Sequence, residues 1–290
     1  NYSRFALRET VMKEEPMSLR TILLHSMPGD PHNDMRTEAA VVLCATSGAH
    51  LTVAHTIPPI SVPTYMAAPL PPEIFDQYYA EAEADAAAAQ KSLMDKASAN
   101  NVAAEWHAVR GYPRDVLTSH ARYSDLVIVG QPAEENDQYG GTEGLLGDLA
   151  IGAGRPVIAV PYAGSHAGFG KRILVPWNDS RESTRAAHDA LPLLVAADLV
   201  TILVVNSDGD LESAEEISAH LARHGVTVEA KTEKVSGLDI GDAVLNAVSD
   251  LGCDMLVMGA YGHSRLREYA FGGVTRHIIE HMTVPTLFSH

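Results

Sequence analysis

Short apolar runs alternate along this chain with longer segments whose apolar positions recur every three to four residues. In the second half, the apolar pattern predicts β-strands at residues 173–176, 199–205, 226–231, 255–258 and 285–288. Helical spacing predicts helices between them, at residues 182–194, 211–224, 240–251 and 274–281. Ser180 is a predicted helix N-cap and Gly225 a predicted helix end. Strands that alternate with helices in this way indicate a parallel sheet covered on both faces.

The first half repeats the order of elements found in the second half. Asp-Leu-Val-Ile-Val-Gly at residues 125–130 matches Asp-Met-Leu-Val-Met-Gly at residues 254–259, and Pro156 matches Pro285, both at an offset of 129 residues. A long alanine-rich helix is predicted at residues 73–98. The sequence therefore predicts an α/β protein with two doubly wound, five-stranded parallel-sheet sandwiches in tandem. In such sheets ligands bind beyond the carboxyl ends of the strands.

The repeat divides the chain into two predicted domains, at residues 17–162 and 171–290. A linker rich in glycine and alanine joins them at residues 163–170. The length of 290 residues suits two domains. Residues 1–16 lack the continuous apolar core of a signal peptide, so we expect them to be a leader or an expression remnant.

Composition narrows the class of protein. The chain is 46% hydrophobic and 20% charged, which is ordinary for a globular protein, and its net charge of −16 argues against a nucleic-acid partner. No apolar run approaches the roughly 20 residues that a membrane span needs. The two cysteines, Cys44 and Cys253, lack metal-ligand spacing and suit a reducing compartment, so we expect a cytoplasmic protein.

A glycine-rich loop follows the predicted strand at residues 255–258. Its spacing is Gly259-x2-Gly262-x9-Gly272, and Gly273, Val274 and Thr275 then open the next predicted helix. Glycines let the backbone approach an anion closely, and a helix N-terminus offers unpaired N–H groups to a phosphate. Thr275 adds a hydroxyl donor, and Arg265 lies in the intervening loop. The alternative interpretation is that these glycines serve only as turn and cap residues.

This spacing, joined to the order of strands and helices, resembles the ATP-binding signature of the universal stress proteins in their tandem, two-domain form. The resemblance covers nearly all of residues 19–290. It implies an adenine nucleotide alpha hydrolase-like fold and an adenine nucleotide as the ligand. The family usually has Ser or Thr directly after the third glycine, whereas this chain has Gly273, so one phosphate donor is missing.

The resemblance also implies a nucleoside contact at the first strand of the second domain, where the family has Pro-x-Asp. This chain has Pro176, then Trp, Asn178 and Asp179, so an amide stands at the acid position. The implied wall of the adenine pocket includes Val205, at the end of the second strand. Met258, directly before Gly259, completes the candidate set. An Asx turn is the alternative for Asn178 and Asp179.

The first half lacks the corresponding features. At the offset of 129 residues, Gly262 corresponds to Ala133, Gly272 to Glu143 and Thr275 to Leu146. A carboxylate at the phosphate position repels polyphosphate, and the hydroxyl at the helix start is gone. We therefore expect at most one nucleotide per chain.

No metal site is expected. His277 and His281 stand four residues apart on a predicted helix, the spacing of a two-histidine site. No glutamate follows the first histidine in the zinc-protease pattern, and the chain has 14 histidines, so a solvated or capping helix end is the simpler interpretation.

We expect a stress-response protein that binds ATP, with or without Mg²⁺, in its C-terminal domain and has a regulatory or protective role. No catalytic residue is predicted. Two alternatives stay open: a slow ATP-hydrolysing or adenylate-transferring enzyme, and a nucleotide-free interaction scaffold. The resemblance further implies that the last strands of the two domains, at residues 155–160 and 285–287, pair to form an internal pseudo-dimer. Homodimerisation of the chain also stays open, and the sequence identifies no protein partner.

Overall fold

The computed structural model describes residues 18–60, 71–132, 144–164, 168–205, 211–234, 239–261 and 273–290. The proposed leader and most of the glycine loop, including Gly262, Arg265 and Gly272, lie outside these residues, as do Ala133 and Glu143. The limits of the two domains and of the linker stay predictions.

Both halves alternate strand and helix throughout. In chain order the first half has β1 (Thr21–Ser26), α1 (Asn33–Ser47), β2 (His50–Ile57), α2 (Pro72–Ala99), β3 (Ala104–Arg110), α3 (Pro113–Ala121), β4 (Leu126–Gly130), α4 (Leu145–Gly152) and β5 (Val157–Val160). The second half has β6 (Arg172–Pro176), α5 (Arg181–Asp189), α6 (Leu191–Ala196), β7 (Leu199–Val205), α7 (Leu211–Arg223), β8 (Val228–Glu233), α8 (Ile240–Asp250), β9 (Met255–Gly259), α9 (Gly273–His281) and β10 (Thr286–Ser289). The α/β class predicted from the apolar pattern is confirmed.

Local chemistry explains where the helices begin and end. Ser180 caps α5 with a full capping box, in which its hydroxyl accepts from the backbone of Ser183 and the Ser183 hydroxyl accepts from the backbone of Ser180. Gly225, just beyond α7, has a φ of 87°, the left-handed conformation typical of a helix end. The single helix predicted at residues 182–194 is wrong, because α5 ends at Asp189 and α6 begins anew with Pro192 in its first turn.

The strands form one ten-stranded sheet in the order β3-β2-β1-β4-β5-β10-β9-β6-β7-β8. Pairing is parallel within each half. The halves meet where β5 pairs with β10 in antiparallel register, with Leu287 opposite Ile158 and Phe288 opposite Val157. The pseudo-dimer implied by the resemblance is thereby confirmed.

Each half has its own switch point, where strand order reverses. In the first half it lies between β1 and β4, and in the second between β6 and β9. The strands of the two halves run in opposite directions across the β5–β10 seam. The carboxyl ends of the strands, and with them the two switch points, therefore face opposite ways along the strand direction. A ligand at one switch point is therefore separated from a ligand at the other by the length of the strands.

Helices cover both faces of the sheet, and each face carries helices from both halves. Helices α1, α2, α5, α6 and α7 pack on one face, and α3, α4, α8 and α9 on the other. The apolar residues of the central strands are almost fully buried between these layers. Within the described ranges, no helix is both long and apolar enough to cross a bilayer.

Candidate functional site

The carboxyl end of β6 leads into the candidate nucleoside contact. Pro176 is half-buried at the end of the strand, and the next residue, Trp177, is buried. The Trp177 backbone N–H donates to the Leu203 carbonyl at 2.8 Å, and its indole N–H donates to the Ser213 hydroxyl of α7 at 3.0 Å. These bonds fix the path of the chain as it leaves the sheet.

Asn178 and Asp179 are exposed just beyond β6, at the edge where the sequence predicts the nucleoside. The side-chain oxygen of Asn178 accepts from the Ser180 hydroxyl at 2.7 Å and from its backbone N–H at 3.3 Å. Asp179 adopts a φ of 53°, in the left-handed region. The Asx-turn interpretation therefore accounts for the Asn178 oxygen in this structure, and the nucleoside contact stays a prediction.

Gly259 ends β9 directly beside the start of α5. A methyl group placed on Gly259 would lie 2.5 Å from the carbonyl carbon of Glu182 and 2.7 Å from the backbone nitrogen of Ser183. Glycine is thus required here by close packing of a strand against a helix N-terminus. The sequence pattern could not reveal this reason, because the contact joins residues more than 70 positions apart in the chain.

Glu182 is a buried acid that the sequence reasoning missed. It is 8% exposed, lies against Gly259 and pairs with Arg181, whose Nε and Nη2 both lie 3.1 Å from the Glu182 carboxylate oxygen. The carboxylate is therefore partly neutralised at the edge where the candidate ligand would bind.

Apolar side chains form the floor of the same edge. Met258 is buried, and Val205, at the end of β7, is half-buried and packs against the same cluster of residues as Met258. Val205 and Met258 thus lie on the face of the sheet that also carries α9.

Helix α9 begins at Gly273. Gly273 is exposed, Val274 is half-buried and the Thr275 side chain is buried, so Gly273 is the most accessible of these three residues. A methyl group on Gly273 would meet no atom within 4 Å among the described residues. Among the described residues, nothing obstructs a side chain added at the first position of this helix.

The first half fills its switch point with its own side chains. The Arg36 guanidinium lies over Gly130, the counterpart of Gly259, and any side chain on Gly130 would collide with it. Arg36 Nη2 donates to Asp30 Oδ2 and to Asn33 Oδ1, both at 2.6 Å, and the Arg36 and Asp30 side chains are 5% and 7% exposed. An internal ion pair thus occupies the region where the second half has its candidate site.

The Asp30–Arg36 pair places two opposite charges in the switch point of the first half. Burial works to raise the pKa of Asp30, but the charge of Arg36 and the backbone N–H of His32 leave that pKa below its usual value. Arg36 Nε is buried and has no hydrogen-bond partner among the described residues. From the sequence, the missing site of the first half is explained by Glu143 at the phosphate position. The sequence does not predict the Asp30–Arg36 pair, because Asp30 lies in the loop before the helix that carries Arg36.

Two buried histidines lie beside this ion pair. His25 Nε2 hydrogen-bonds with the Thr56 hydroxyl, and His55 Nδ1 with the Ser26 hydroxyl, both at 2.9 Å. Burial, with Arg36 nearby, lowers the pKa of His25 to about 3, and burial lowers the pKa of His55 to about 4. Both imidazoles are therefore neutral in the folded protein at neutral pH.

The histidines of α9 pack against each other and against α8. The rings of His277 and His281 stack with centroids 4.4 Å apart, and His277 Nε2 lies 2.9 Å from Asp242 Oδ1. Among the described residues, no group of three or more His, Cys, Asp or Glu side chains is arranged to hold a metal ion.

Comparisons with known proteins agree with this fold. Residues 170–290 match the Universal stress protein family. A universal stress protein from Archaeoglobus fulgidus is 16% identical, with a TM-score of 0.70 over 92% of this chain and 95% of that chain. A functionally unknown protein from Pseudomonas aeruginosa is 12% identical, with a TM-score of 0.59 over 93% of this chain and 92% of that chain. No curated protein sequence matches the chain.

The fold and the two switch points define a tandem α/β protein with a doubly wound sheet in each half. The match over residues 170–290 is to the family that the glycine spacing resembles. At 16% identity and below, the likeness to the solved full-length structures establishes the fold of the tandem arrangement.

The packing at Gly259 generates a stability prediction. Gly259→Ala forces the backbone of α5 away from β9, and we expect a loss of about 2 kcal/mol in the free energy of unfolding. Urea denaturation measures this loss. Gly168→Ala is the control, because a methyl group there meets no atom of the described residues within 4 Å. Equal stabilities of the two variants would show that the close contact has no energetic consequence.

The buried histidines generate a pH prediction. The unfolded chain protonates each histidine near pH 6.5, whereas the folded protein keeps His25 and His55 neutral down to about pH 3 and 4. Between these limits the unfolded state binds more protons, so stability falls as the pH drops through this window. At pH 5 the two sites together should cost about 4 kcal/mol relative to pH 7.

Urea denaturation at pH 7 and pH 5 measures this difference. The double variant His25→Gln, His55→Gln retains polar side chains but cannot titrate, so its stability should change much less between the two pH values. An undiminished pH dependence in the double variant would contradict the assignment.

Proposed function

We propose that the C-terminal half binds ATP, with or without Mg²⁺, at the carboxyl ends of β6 and β9, with the phosphates at the N-terminus of α9. The observation that carries this proposal is the position of the glycine-spaced segment. It leaves β9 at Gly259 and reaches α9 at Gly273, and β9 is paired with β6 at the switch point. Ligands of open α/β sheets bind at such points.

The start of α9 supplies the phosphate-binding chemistry. The first N–H groups of a helix have no partner within the helix, and the helix dipole favours an anion there. The attraction of the helix N-terminus for an anion matters in this chain, because a protein with a net charge of −16 has few surfaces that attract a polyphosphate. The exposed Gly273 brings backbone to the ligand without a side chain in between.

The carboxyl ends of β6 and β7 supply the nucleoside-binding chemistry. Val205 and Met258 offer an apolar surface for the adenine ring. Asn178 and Asp179 stand exposed beside it, and an amide can both donate to and accept from ribose hydroxyls. The Asn178 oxygen would exchange its bonds to Ser180 for the ligand, or the amide nitrogen would make the contact.

A regulatory role fits the sequence, which predicts no catalytic base beside the proposed phosphates. Arg276 of α9, whose Nε lies 2.7 Å from Glu280, stays protonated and cannot activate water as a base. We infer that bound ATP biases conformation or partner choice in a stress response. We place the protein in the cytoplasm, because Cys44 and Cys253 are buried free thiols.

Isothermal titration with ATP tests the proposed function. The wild-type chain should bind ATP, and Gly272→Glu, which copies Glu143 of the first half, should abolish binding by placing a carboxylate at the phosphates. Absence of binding by the wild type would contradict the proposal and favour a nucleotide-free scaffold. Turnover of ATP at the rate of an ordinary enzyme would contradict the regulatory role.

The space at Gly273 generates a gain-of-affinity prediction. Gly273→Ser adds a hydroxyl donor beside the phosphates, and a methyl group at this position meets no atom of the described residues within 4 Å. We expect ATP to bind more tightly by about 1 kcal/mol, or roughly fivefold. Gly273→Ala is the control, since it adds bulk without a donor. If serine and alanine give equal affinities, the phosphates do not lie at the start of α9.

A further inference from the structure

Tyr261 joins the candidate site to the other half of the protein. It follows β9 by two residues, at the point where the glycine loop leaves the sheet. The residue before it, Ala260, is fixed to the last strand by a 2.8 Å bond from its N–H to the Ser289 carbonyl. Tyr261 itself has a φ of 57°, a conformation that a bulky residue rarely adopts. Its backbone is therefore set by its surroundings and not by its own preference.

The Tyr261 side chain crosses the seam and packs on α4 of the first half. A methyl group placed on Gly147 would lie 2.5 Å from the Tyr261 hydroxyl oxygen and 3.2 Å from the ring carbon that bears it. The ring belongs to the same apolar cluster as Leu146 and Leu149 of α4. Burial, with a contribution from the Asp148 carboxylate, raises the pKa of Tyr261. The position of the ring thus depends on a glycine in the opposite half.

A second contact from the first half holds α9. Gln131, one residue beyond β4, donates its side-chain amide to the Ile279 carbonyl at 2.8 Å and to the Glu280 carbonyl at 3.2 Å. These carbonyls lie in the last turn of the helix whose first residue is Gly273. The first half therefore contacts the second at two places: at Tyr261, two residues beyond β9, and through Gln131 at the last turn of α9.

We propose that the first half sets the nucleotide affinity of the second, with Tyr261 as the positioning residue that transmits its packing to the phosphate loop. The proposal rests on the proposed function of the second half. It gives the first half, whose switch point is filled by Arg36, a role at a site that it does not form. Helices α4 and α9 lie on the same face of the sheet, so Tyr261 reaches α4 with the pairing of β5 and β10 unchanged.

Two glycines of α4 allow a matched test. Gly147→Ala places a methyl group against the Tyr261 hydroxyl, whereas Gly152→Ala, on the same helix, meets nothing within 4 Å. Isothermal titration of full-length protein with ATP should show Gly147→Ala binding at least about fivefold more weakly than wild type, the lower end of typical coupling between sites. Gly152→Ala should bind as the wild type does. Thermal unfolding followed by circular dichroism reports whether each variant is folded.

The Tyr261→Phe variant, which lacks the hydroxyl, distinguishes a positioning role of Tyr261 from general damage to the fold. In a Tyr261→Phe background, Gly147→Ala should lower affinity much less than it does beside the native tyrosine, because the closest contact is gone. Equal ATP affinity of wild type and Gly147→Ala would overturn this proposal and leave the proposed function intact. An undiminished effect of Gly147→Ala in the Tyr261→Phe background would also overturn it. Failure of the wild type to bind ATP would overturn both.

Discussion

The antiparallel pairing of β5 with β10 is the constraint on which the rest of this structure depends. Each half alone would leave the outer edge of its last strand unpaired, and such edges invite association. The seam joins two five-stranded parallel sheets into one, with Ile158 and Leu287 fully buried opposite each other. It also places equivalent helices of the two halves on the same face, which brings Gln131 to α9 and Tyr261 to α4.

The two halves keep one fold and differ in what fills the switch point. In the first half, the guanidinium of Arg36, paired with Asp30, lies over Gly130. In the second half, Gly259 packs against backbone of α5, and no cation among the described side chains takes the place of Arg36 there. Removal of one partner from such a buried ion pair would leave an uncompensated buried charge, which is strongly destabilising. The first half thus has an internal ion pair where the second half has its candidate site.

The sequence predicted the order of elements, because buried parallel strands read as continuous apolar runs and the repeat showed that the two halves are alike. The pairing at the seam was implied by the resemblance to the universal stress proteins. The sequence also predicted a ligand site beyond the carboxyl ends of the strands in the second half. It did not predict the break at Ala190, since helical spacing continues through Pro192. The contacts of Gly259 with α5 and of Tyr261 with α4 leave no local pattern, because each joins residues far apart in the chain.

The number of ATP molecules bound by one chain is the sharpest test of this asymmetry, because a filled switch point in the first half and a proposed site in the second predict a single nucleotide. Native mass spectrometry of the full-length protein at saturating ATP counts them without assuming where they bind. We predict one nucleotide per chain. Two nucleotides per chain would show that the Asp30–Arg36 pair does not close the first half, and none would show that the second half is not a nucleotide site.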